Sequence, residues 1–295
     1  LREGDERSEK LFEEWELLFE HVCGFEFEDG IGVMEEHYDL DLDSPEEFRK
    51  ALFALFTYYA LIAKLIAAEF VYYHTGPSYP SFLKKLIGRS ESELRKQLDS
   101  FEDGWMFNDA GINNFLEASL FSWYIDENVW NEDVASAIVG VVERKRKYDP
   151  GQLRDDPDET RDVFKNLYQH MVPEELRKQL GEVFTPDWLA ELTLDDAGYD
   201  GEGSLLDPAC GSGTFLVFAA RRKKEHLKID ENSLAEEDIS DTEKAERTNQ
   251  LLSDIEGFDL NPLAVLASRT NLLIELGELV DYCESIELPV YLCDS

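Results

Sequence analysis

The chain has 295 residues, 43% of them apolar, which supplies enough hydrophobic material for folded cores and excludes a disordered chain. Asp and Glu number 65 against 28 Lys and Arg, a formal charge of -37. That sign is the reverse of an ordinary nucleic-acid-binding surface. Acidic residues run along the whole chain rather than gathering in a tail. This pattern suits a salt-rich cytoplasm, where the Debye length shrinks to roughly 3 Å at 1 M and self-repulsion is screened. An acidic solvated surface of no special meaning, and a protein that never meets nucleic acid, are the competing readings. Cys23, Cys210, Cys283 and Cys293 show no metal-type spacing, which points to reduced thiols, a cytoplasmic setting and no metal. The start at Leu1 and the end at Asp294-Ser295 read as a piece of a longer protein.

Residues 1–160 read as an all-α domain. Leu11, Trp15, Leu18 and Phe19 recur at helical spacing. Ser44-Pro45-Glu46-Glu47 is a capping box with Pro in the first turn, opening a long apolar helix. The run 51–73 raises the question of a membrane span, but Lys64 and Glu69 inside it favour a buried core helix. Ser90 with Glu93 makes a second capping box, and the aromatic stretch 115–123 is expected to pack on the long helix. The Asp-, Pro- and Gly-rich segment 148–160 is the linker candidate.

Residues 161–295 change character. A helix over 173–180 ends at Gly181. Strands near 204–207, 255–259 and 288–293 alternate with helices over 214–228 and 262–276, the second closed by Gly277. That alternation predicts a parallel α/β sheet with right-handed crossovers. The acidic stretch 230–246 reads as a surface insertion, partly helical or mobile.

Four short motifs end on polar residues at strand tips or helix starts. LLDPACGSGTFL at 205–216 is a strand ending in Asp207, then a small-residue turn, then a helix. Gly211 and Gly213 there would let a ligand approach backbone closely, and the helix start offers free N–H groups. Leu216 stands where a dinucleotide fingerprint needs its third glycine, which disfavours NAD, and there is no P-loop lysine. IEGFDLNP at 255–262 puts Asp259 at a second tip, where a carboxylate can accept ribose hydroxyls or simply cap the next helix. GEVFTPDW at 181–188 has Thr185 as a cap and Pro186 opening a helix. LPVYLCDS at 288–295 ends a third strand at Asp294, which is either an acceptor for an adenine amino group or a strand-end acid without a role.

Taken in order, GEVFTP, DPACGSGTFL, GFDLNPLA and YLCDS resemble the cofactor motifs of adenine-N6 DNA methyltransferases. With Phe-Thr-Pro first, they resemble the gamma class of type I and type IIG restriction-modification methylases. The resemblance implies a Rossmann-like S-adenosylmethionine-dependent methyltransferase core, here a partial parallel sheet preceded by the helical domain. It implies that Phe184, Thr185 and Pro186 touch the methionine end and the ring region of S-adenosylmethionine. Asp207, Ala209, Gly211 and Gly213 would form the methionine pocket, Asp259 would hold the ribose, and Asp294 the adenine. The family's catalytic Asn/Asp-Pro-Pro-Tyr/Phe is absent from the sequence, so no catalytic residue is assigned and the fragment is expected to be inactive, with weak or altered cofactor binding. Double-stranded DNA, a specificity or nuclease subunit, and a second copy through an exposed sheet edge are the implied partners, with no membrane. A non-catalytic scaffold of a restriction complex, or a methyltransferase acting on RNA or protein, are the alternatives.

Overall fold

A computed structural model describes residues 6–23, 30–75, 81–116, 120–145, 168–179, 185–230, 233–234 and 239–294. The linker candidate at 148–160 and Phe184 lie outside the described residues. The helical part comprises α1 (Glu6–Cys23), α2 (Ile31–Tyr38), α3 (Pro45–Thr75), α4 (Phe82–Leu86), α5 (Glu91–Glu102), α6 (Trp105–Asp109) and α7 (Glu132–Lys145). The second part comprises α8 (Glu174–Gln179), α9 (Asp187–Asp196), β1 (Leu205–Asp207), α10 (Thr214–Leu227), α11 (Asp241–Asp254), β2 (Ile255–Asp259), α12 (Pro262–Leu276) and β3 (Val290–Leu292), with a 3-10 turn at Gly277–Tyr282. The molecule is thus mostly helical with one small parallel sheet.

Capping residues set the helix starts. Ser44 Oγ accepts from Glu47 N at 3.3 Å, while the Glu47 carboxylate reaches Asp43 N at 2.7 Å, so the reciprocal bond falls one residue earlier than in a standard capping box. At α5 the box is complete between Ser90 and Glu93. α3 is long and apolar enough to cross a membrane, yet 78% of its apolar window is buried inside the protein. Trp15, Phe19, Phe121 and Trp123 surround it, and Trp123 Nε1 donates to Thr57 Oγ1 at 2.7 Å. Lys64 Nζ meets Glu102 Oε2 at 2.6 Å, and Tyr124 donates to the other Glu102 oxygen at 2.6 Å. Its buried charge is therefore neutralised inside the core, as burial demands.

The sheet order is β1-β2-β3, all parallel, with Asp207 opposite Gly257 and Asp259 opposite Leu292. Right-handed crossovers that step in one direction put their helices on one face. Accordingly α10 and α12 pack against the face that carries Ile255, Gly257 and Val290. The opposite face presents Leu206, which is 54% exposed, and the exposed Glu256. Among the described residues the outer edge of β1 has no partner strand.

α12 is buried nearly all round, between the sheet, α10 and α3. One hydrophobic cluster therefore runs from Phe12 to Val290, across the boundary expected at about residue 160. Within the stretch read as a partly helical or mobile insertion, Ser240 caps α11, which runs from Asp241 to Asp254 and buries Thr248, Leu251 and Leu252. α10 and α11 together make the crossover from β1 to β2.

Candidate cofactor site at the strand tips

The tips of β1, β2 and β3 stand side by side because their register aligns them. Asp259 joins two loops with its two oxygens. Oδ2 accepts from Gly211 N at 2.8 Å, and Oδ1 accepts from Asn261 N at 2.8 Å. It therefore braces the glycine turn and the start of α12 at once. Asn261 Oδ1 accepts from Leu263 N at 2.9 Å and Pro262 fills the first helical position, so the helix is capped by Asn261 as its sequence indicates. Each carboxylate oxygen has a second lone pair, so Asp259 keeps acceptor capacity.

Asp207 is less satisfied. Its Oδ1 accepts from Ala209 N at 3.2 Å, while Oδ2 is buried and has no hydrogen-bond partner among the described residues. Burial raises the Asp207 pKa, and the nearby Asp259 charge raises it further. Between the two acids, Cys210 N donates to Phe258 O at 2.8 Å and carries the β1 turn across to β2. Burial, with Asp259 adding to it, pushes the Cys210 thiol up to about 12, which makes it a packing group rather than a nucleophile.

The two glycines of the turn do different work. Gly213 has φ +82, and a Cβ on it would collide with Ser268 Oγ and sit 3.1 Å from Ser268 Cβ. It allows α10 to approach α12, which differs from a purely ligand-facing role. Gly211 has φ +54, and a Cβ there would meet nothing within 4 Å among the described residues. Space is open beside Gly211, which is bonded to Asp259, the acid whose charge also acts on Asp207. An open backbone and an orphan acid fit a ligand that brings both a polar body and a positive charge.

At the third tip, Cys293 N donates to Asp259 O at 3.1 Å, which places the exposed Asp294 next in line. Thr185 and Pro186 lie at the start of α9, which packs on α10. Here the helix begins at Asp187, with Pro186 extended at ψ 141 in the cap position, rather than at Pro186 with Thr185 as cap. The reason is that the Pro186 carbonyl accepts from Leu189 N and Ala190 N, which defines the cap. Pro186 is bonded to α9 through its carbonyl, and among the described residues no hydrogen bond joins Thr185 or Pro186 to the strand tips.

Three comparisons bear on this arrangement. The N-6 DNA Methylase family matches residues 158–274. Residues 158–274 are thus similar in sequence to N-6 DNA methylases. Adenine-specific methyltransferase PglX of Streptomyces coelicolor is 30% identical over 43% of this chain and 11% of its own length. The methylase subunit of the type I restriction enzyme MjaIX of Methanocaldococcus jannaschii is 25% identical over 64% of this chain and 35% of its own length. The chain thus spans far less than two thirds of either relative. No solved structure matches.

The matched region uses its densest basic run internally. Arg221 and Lys224 both pair with the buried Glu275, at 2.9 and 2.6 Å. Arg222 pairs with Asp195 at 2.7 Å and Lys223 with Asp254 at 2.7 Å. Four consecutive cations on α10 therefore hold α9, α11 and α12 together. Sequence reasoning also passed over Ser268, Arg269, Thr270 and Asn271, four consecutive polar residues in a helix that, Glu275 apart, is otherwise apolar. That interruption was the available signal. Asn271 Nδ2 donates to Ser212 O at 2.9 Å and supports the glycine turn from behind.

Proposed function

We propose that this chain is the S-adenosylmethionine-binding portion of a DNA adenine-N6 methyltransferase of restriction-modification type, with a Rossmann-like core behind an all-α domain. The observation that carries the reading is the half-satisfied Asp207 beside Asp259 and the open Gly211. The matching family and the two relatives support the substrate class. S-adenosylmethionine supplies an activated methyl group when bound. In this reading Asp207 takes the ammonium of the methionine end, with Ala209 and Gly211 as its backbone wall. Asp259 accepts from the ribose, Asp294 from the adenine amino group, and Phe184, Thr185 and Pro186 close the methionine end. Because the basic run on α10 is consumed by internal pairs, phosphate contacts with DNA would come from other surfaces. The bare edge of β1 is where further strands, or a second copy, would add. Specificity or nuclease subunits and a cytoplasmic, salt-rich setting complete the proposal.

Equilibrium dialysis with radiolabelled S-adenosylmethionine tests it. The chain is expected to bind the cofactor, weakly, and Asp259→Ala to lose it. No saturable binding, or binding untouched by Asp259→Ala, would overturn the reading.

A further inference from the structure

The loop after α6 pairs with the chain that leads into β3. Ile286 N donates to Gly111 O at 2.7 Å and Asn113 N donates to Ile286 O at 3.1 Å, a parallel bridge between Ile112 and Ile286. Asn114 then takes both backbone groups of Leu288. Its Nδ2 donates to Leu288 O at 2.8 Å, and its Oδ1 accepts from Leu288 N at 2.8 Å. From the other side, Arg269 on α12 donates twice to Val290 O, at 2.9 and 2.7 Å, and again to Asn114 O. Arg269 and Asn114 are each only 3% exposed. A planar guanidinium that grips two carbonyls of different segments fixes their relative position, because its fork has little freedom left. The two carbonyls belong to the helical region and to the first residue of β3. Four residues beyond Val290 lies Asp294.

We propose that Asn114 and Arg269 are positioning residues for the adenine-side wall of the cofactor site, acting through β3. The inference rests on the cofactor reading above. It gives the helical region, which carries no ligand-binding residue of its own in that reading, a defined part in binding. The clamp holds the root of β3, the β2–β3 ladder transmits that position, and the Cys293–Asp259 bond delivers it to the tip.

The test uses the 295-residue chain with S-adenosylhomocysteine as probe and three variants: Asn114→Ala, Arg269→Lys and Asn113→Ala. The last deletes only an exposed bond to Ser285 and leaves the buried groups paired. Dissociation constants are measured by calorimetry well below each Tm, together with amide hydrogen exchange of residues 290–294. Asn114→Ala is expected to weaken binding about tenfold, the worth of one misplaced hydrogen bond. Exchange at 290–294 should rise while that at Gly211 and Gly213 stays put. Arg269→Lys, which keeps the charge and one reachable carbonyl, should lie between, and Asn113→Ala should raise exchange only slightly. A lowered Tm with an unchanged dissociation constant would overturn the proposal, because the clamp would then be glue alone. So would exchange rising equally throughout, or failure of both buried variants to fold with Asn113→Ala unchanged in exchange. Absence of binding by the unaltered chain sinks the cofactor reading instead, and the exchange arm still decides whether the clamp acts on β3.

Discussion

Two acids, the buried Glu102 and the half-buried Asp207, one in each part of the molecule, meet opposite fates. Glu102 in the helical part has both oxygens filled, by Lys64 and by Tyr124. Asp207 at the tip of β1 has one oxygen filled by a backbone N–H and the other bare, with a second acid close by. Burying a charge is tolerable only when its partners come with it. The first acid is closed on itself and serves the fold. In the proposed reading the second is completed by the ammonium of the cofactor's methionine end.

The largest effect should follow from opening the closed acid. Lys64→Met leaves Glu102 buried without its cation, which should cost about 3–5 kcal/mol. Urea unfolding would measure the loss. If the comparison holds, affinity for S-adenosylhomocysteine in the folded fraction stays as it was. A parallel fall in affinity would show that the two regions are not separate in function.

Next in size is Gly213→Ala. The new methyl collides with Ser268 and the backbone is left-handed, so about 1–3 kcal/mol of stability should be lost. Gly211→Ala shares the positive φ but meets no neighbour, so backbone strain alone should cost about 1–2 kcal/mol. Its effect on ligand binding should exceed its effect on stability, because the methyl fills the open side of the turn. Paired unfolding curves with and without ligand separate the two glycines. Equal losses of affinity would erase the distinction between packing glycine and site glycine.

Much of this was legible in the sequence, for local reasons. The bounds of β2 and α12 follow from Asn261, Pro262 and Gly277, which cap and close without help from distant residues. α11 was read only as part of a partly helical or mobile stretch, because its acidic surface hides the periodicity, with its buried apolar residues confined to Leu251 and Leu252 near its end. The Ser240-x-x-Glu243 cap was the readable sign. The pairing of Asn114 with Leu288 spans 174 positions and leaves no local pattern. The bare oxygen of Asp207 is equally invisible in a motif, because only tertiary burial removes its water. The strand-tip acids could be named from their motifs, but their inequality could not.

That inequality gives the smallest and most discriminating prediction. Asp207 has its folded-state pKa raised by burial and then by Asp259. An acid with a raised native pKa binds its proton more tightly when folded. Its ionisation therefore opposes folding, a cost absent below the unfolded pKa and fully present above the folded one. Asp207→Asn removes that cost, so the ligand-free variant should melt slightly higher than the parent at neutral pH, with the difference vanishing in acid. The same substitution removes the acceptor for a cationic ligand group. Affinity for S-adenosylmethionine should fall, and the parent's affinity should itself decline as pH drops through the raised Asp207 pKa. Melting curves and dialysis across acid to neutral pH measure both. A variant that melts lower at neutral pH, or binds as tightly as the parent, would place Asp207 with Glu102 among the acids that serve the fold, and the difference between the two regions would be gone.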